Sequence, residues 1–179
     1  MRSRIALLLS SLAIVALTGA TSIDLSKSSD PLGKLGMWAG KWSFSGQIYP
    51  TQYSTAHSDS GTADCSWMPN KGYVVCDYFS TDPPHDDLAV ISYSPAARAY
   101  TLVNIHKDSP AAFERVTQAG NIWISSHDTH DNGKPLVLRT VFVFLSPDKQ
   151  TTTVQVSADK GKNWTTTIQV TGVKVANAG

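Results

Sequence analysis

Gly61-Thr-Ala-Asp-Cys65-Ser-Trp67-Met-Pro69-Asn-Lys-Gly72-Tyr73-Val-Val-Cys76-Asp-Tyr78-Phe79 decides the fold. Residues 61–67 and 73–79 read as strands, and Pro69-Asn70-Lys71-Gly72 between them supplies the fixed φ and the small residue that a tight turn needs. Closing the hairpin at Met68 and Tyr73 sets Cys65 directly opposite Cys76, where facing Cβ atoms are close enough to bridge. The alternatives for two cysteines are a metal pair or free thiols. Two cysteines without convincing partner ligands make a poor metal site, so a structural disulfide is expected. Within the hairpin Trp67 shares a face with Cys65, and Tyr78 with Cys76, while Asp64, Ser66 and Asp77 take the other face. The apolar face is expected to point inward.

The same grammar extends in both directions. From Lys41, Trp42, Phe44 and Ile48 alternate with Ser43, Ser45 and Gln47. Further strand-like runs fall at 88–93, 99–106, 113–118, 122–127, 137–145, 152–158 and 164–173. They are separated by turn chemistry such as Pro83-Pro84-His85-Asp86, Ser94-Pro95-Ala96 and Asp159-Lys160-Gly161. No ten-residue amphipathic helix is available for a βαβ crossover. About ten short strands in a meander predict an all-β, antiparallel up-and-down barrel, whose closure removes exposed edges.

The N-terminus has a different character. Arg2 and Arg4 precede an uncharged run, Ile5 to Leu17, and Thr18-Gly19-Ala20 offers small residues for a peptidase. This is the layout of a cleaved secretory signal at 1–20, and the run falls short of the roughly 20 apolar residues that a membrane span needs. Residues 21–34 read as a loose, Ser- and Asp-rich leader, with Asp30-Pro31-Leu32 suited to starting one helical turn. Residues 35–176 then form a single barrel domain. Export, to a periplasmic or extracellular setting, agrees with a disulfide. Loss of Arg2 and Arg4 takes the formal net charge from +1 to −1, without the basic footprint of a nucleic-acid binder.

Leu35-Gly36-Met37-Trp38-Ala39-Gly40-Lys41-Trp42, with Gly40-x-Trp42 at the entry to the first long strand, resembles the opening of lipocalin-like barrels. With the Gly72–Tyr73 hairpin and the late turn 157–164, the chain is similar to a bacterial group of exported lipocalin-like (calycin-like) proteins whose function is not known. The resemblance implies that Trp42 plugs one barrel end beneath a basic side chain of the last strand, here Lys174, by a cation–π contact.

Candidate sites follow from polar residues in apolar strands. A barrel cavity holding a small hydrophobic or amphipathic ligand would draw on Trp42, Trp67, Tyr78, Asn104, His106 and Arg139. Arg139, amid 137–145, must find an interior partner or face solvent. His106 would be an axial ligand if the pocket held haem, but one histidine without a second signature does not establish that, and no cofactor is expected. His127-Asp128-Thr129-His130-Asp131-Asn132-Gly133-Lys134 offers donors for a divalent metal, yet lacks the closing Glu of a calcium loop and reads as a turn. No Gly-x-Ser-x-Gly elbow, Gly-rich phosphate loop or His-Glu-x-x-His helix is present. An enzyme of isomerase or cyclase type, using His106, Asn104 or Arg139, is therefore the weaker reading. A structural or interaction protein of the cell envelope is the third.

Overall fold

The computed structural model describes residues 29–52, 55–70, 72–81, 84–107, 109–131 and 133–175. The signal peptide and most of the leader expected from the sequence lie outside the described residues. Ten antiparallel strands follow a short 3-10 helix, Gly33–Met37: β1 Gly40–Ile48, β2 His57–Trp67, β3 Tyr73–Thr81, β4 Pro84–Ser94, β5 Ala99–His106, β6 Ala112–Ala119, β7 Ile122–Asp131, β8 Lys134–Ser146, β9 Lys149–Ser157 and β10 Thr165–Lys174. Each strand pairs with the next, and β1 pairs with β10 to close the barrel. The all-β, antiparallel up-and-down barrel read from the alternation is the fold observed.

The hairpin that opened the argument keeps its expected register. Cys65 faces Cys76 across β2 and β3, the two form a disulfide, and the Met68 N–H donates to the Tyr73 carbonyl at 3.1 Å. Several strands begin earlier than the sequence suggested, β2 and β4 by the most. β2 starts at His57, and Pro84-His85-Asp86, expected as a turn, opens β4 instead. Proline is tolerated there because the first residue of a strand need not donate to the ladder. Likewise His127 to Asp131 belong to β7, and the reversal occurs between the paired residues Asp131 and Lys134, with Gly133 at φ +77°.

One barrel end is plugged. The 3-10 helix is started by Asp30, whose carboxylate accepts from the Leu32 and Gly33 N–H groups at 3.0 Å each. It carries Leu35 and Met37, both buried, across that end. Trp38 packs edge-on against Trp123, Phe142 and Phe144. Trp42, 1% exposed, donates its Nε1–H to the Trp38 carbonyl at 2.8 Å. Lys174, the direct partner of Trp42 on β10, holds Nζ 4.9 Å from the Trp42 ring centroid. Burial lowers the Lys174 pKa, partly opposed by Asp148. Close approach at the β1–β10 seam depends on two glycines. A Cβ on Gly46 would collide with the Gln169 carbonyl and Val170, and one on Gly172 would meet the Phe44 ring.

Candidate functional site

Strand parity turns one set of side chains inward, and above the plug they do not fill the barrel. A cavity of about 250 Å³ remains, reaching the end opposite the 3-10 helix. Its volume lies just below the roughly 300–1,000 Å³ of usual small-molecule pockets, so only a compact molecule would fit. Trp38 and Phe142 form its floor, and Phe44, Tyr78, Ala89, Leu102, Val154, Ile168 and Val170 its apolar wall. Strands β6 and β7 contribute nothing to this lining, because Trp123 and Ser125 are fully buried on that side.

Toward the mouth the lining becomes polar across β2 to β5, with Asp59, Ser80, His85, Asp87, Asn104 and His106. The Ser80 hydroxyl donates to Asp59 Oδ1 at 2.8 Å. Asp87 lies between two imidazoles: His106 Nδ1 is 2.8 Å from its Oδ1, and His85 Nε2 is 3.5 Å from its Oδ2. Asp87 and His106 are direct cross-strand partners, so the pairing is fixed by register. Burial pushes the Tyr78 hydroxyl well above the ordinary phenol range, which keeps it neutral.

Behind Asn104 lies a second polar group. Asn104 Nδ2 donates to Glu114 Oε1 at 2.6 Å, and His127 Nδ1 is 3.5 Å from the same oxygen. Burial acts to raise the Glu114 pKa. The neighbouring His127, Ser125 and Asn104 outweigh it and hold the carboxyl below its ordinary value. Glu114 Oε2 and Ser125 Oγ are buried without completing a hydrogen bond of good geometry.

Of the residues proposed from sequence, the structure brings Tyr78, Asn104 and His106 together at the cavity. Trp42 sits in the plug rather than the lining, in the place the lipocalin-like resemblance implied. Trp67 packs half-buried against the core beside the disulfide strands. Arg139 is on the outer wall, its guanidinium carbon 3.8 Å above the Trp164 ring and its Nε–H donating to Gln155 Oε1 at 2.8 Å. The exterior therefore supplies the partners an inward arginine would have needed. His106, Asn104 and Arg139 are not assembled into one site.

Sequence reasoning missed Asp59, His85, Asp87 and Glu114. The first three were hidden by β2 and β4 starting early, since alternation counted back from Ala63 and Ala89 would have placed them inside. For Glu114 the local signal points the wrong way. Phe113 looks like the core residue of its strand, yet it is 76% exposed while Glu114 is 4% exposed. Phe113 ends an outer row of apolar residues in register across four strands, with Val75, Val90 and Val103.

Among the described residues no group of three or more His, Cys, Asp or Glu is arranged to hold a metal, and no helix is long and apolar enough to cross a membrane. No family model and no curated protein matches the chain. Among solved structures, the S-type phycobiliprotein lyase CPES from Guillardia theta is similar, with a TM-score of 0.53 and 11% identity over 80% of this chain and 91% of that one. At that identity the likeness is one of fold, a lipocalin-like antiparallel barrel.

Proposed function

We propose that this chain is an exported binding protein that holds a small apolar or amphipathic molecule in its barrel. One observation carries the reading: an aromatic-floored cavity of about 250 Å³ that changes from apolar to polar toward its mouth. That gradient suits a molecule with an apolar body and a polar end, which Tyr78, Asn104 and His106 would contact. The disulfide and the N-terminal sequence support export, since thiols stay reduced in most cytosols. The similar lyase supports the reading only as a barrel of the same fold.

The uncharged fluorescent probe N-phenyl-1-naphthylamine tests the pocket. It should brighten on mixing with the protein, because transfer into an apolar cavity removes it from water. Ala89, 2% exposed and in the cavity wall, is the position for blocking it. Ala89→Leu should abolish probe binding while leaving the melting temperature unchanged or higher, as filling an open cavity does. Undiminished binding in that variant would sink the proposal.

A further inference from the structure

The cavity lining has a sign. Two carboxylates, Asp59 and Asp87, face its mouth, and among the described residues no lysine or arginine lines it. A third carboxylate, Glu114, is buried behind Asn104 with one oxygen lacking a hydrogen-bond partner. Lysines do occur at the mouth end, at positions 107, 134, 160 and 162, but all four are exposed and none lines the cavity. The inward cation Lys174 is spent at the opposite end, over Trp42.

Inside a pocket with apolar walls, charges interact far more strongly than in water. An anionic head entering this mouth would lose its hydration and meet two carboxylates without a lining cation to offset them. A protonated amine would meet Asp59, which accepts a hydrogen bond from the Ser80 hydroxyl on one oxygen, and Asp87, already shared between His85 and His106. We propose that the barrel selects amphiphiles by head-group charge, accepting a primary amine at the mouth in preference to an alcohol, and an alcohol in preference to a carboxylate. This rests on the pocket reading above and adds to it the class of ligand.

The test displaces N-phenyl-1-naphthylamine with decylamine, decanol and decanoate, which share a chain and differ in head. It is run at pH 8, where decylamine is protonated and decanoate ionised, so that the three heads differ in charge. Decylamine should displace the probe at a concentration at least about tenfold below that of decanoate, with decanol between them. In Asp59→Asn/Asp87→Asn the amine and the carboxylate should converge while decanol is unchanged. Decanoate competing as well as decylamine in the native protein overturns the charge rule and leaves the pocket standing. A folded double variant that keeps the full amine preference overturns the assignment to these two carboxylates. If the probe binds but none of the three displaces it, or the probe does not bind at all, the pocket reading fails and the charge rule fails with it. The native comparison decides the rule even where the double variant does not fold.

Discussion

Asp159 shows how much one side chain can organise. Its carboxylate accepts from the backbone N–H of Asn163 at 2.9 Å and of Lys162 at 3.0 Å, from the Ser157 hydroxyl at 2.7 Å and from Asn163 Nδ2 at 2.6 Å. The chain between β9 and β10 can then pass through left-handed backbone at Lys160 and Gly161, φ 61° and 84°. The Asn163 backbone bond is the largest cause that brings the Asp159 pKa down to about 2, with the Ser157 hydroxyl and the Asn163 side chain next. A carboxyl depressed in the folded state adds stability above its unfolded pKa and loses it as pH falls through the folded value. Asp159→Ala should therefore melt below the native protein at neutral pH. The gap should close between the ordinary carboxylate range and about pH 2, as followed by circular dichroism melts. A gap that stays constant to pH 2 would remove the charge from the explanation. At this scale the sequence was legible where residue type dictates local backbone, as in Asp159-Lys160-Gly161. It was illegible where a partner distant in sequence decides. Nothing in residues 113–116 tells that Asn104 and His127 will meet one oxygen of a buried glutamate, or that Trp164 will hold Arg139 outside.

Elements were read more reliably than their ends. Alternation of Trp42, Phe44 and Ile48 and the Cys65–Cys76 register both follow from a period of two, a property of the backbone itself. Strand starts are set by which neighbour is present to pair, and the residue's own turn propensity does not reveal it. His57 joins β2 because Ile48 offers it a partner, and Pro84 joins β4 opposite Thr81. The disulfide is the element-scale feature most open to measurement. It links residues 11 apart in sequence and constrains the unfolded chain by about 3 kcal/mol in the loop-entropy picture. Cys65→Ser/Cys76→Ser should lower the melting temperature by on the order of 10 °C for a domain of this size, with the β-rich circular dichroism retained. Thiol titration of exported, denatured and unreduced protein should find no free sulfhydryl. Two reactive thiols there would contradict the bridge.

At the scale of the molecule, barrel closure was legible because ten short strands without a crossover helix have few other ways to protect their edges. The cavity was not, since its volume is what remains after the plug and the β6–β7 side have packed, a sum over the whole fold. Closure also has a consequence in time. Nine of the ten pairings join successive strands and can form by local zippering. The tenth brings Trp42 beside Lys174 and must bridge the whole barrel sequence. Non-local pairings bear their loop-closure entropy before any contact rewards it, so the β1–β10 seam should close after the folding barrier. Val170→Ala, at the seam, should then speed unfolding and leave refolding nearly unchanged, whereas Leu102→Ala, in the β4–β5 hairpin, should slow refolding. Stopped-flow chevrons would show the difference, and equal slowing of refolding by both would place the seam inside the transition state. A barrel whose last act of folding is to shut its seam has, at that seam, the place where it comes apart first.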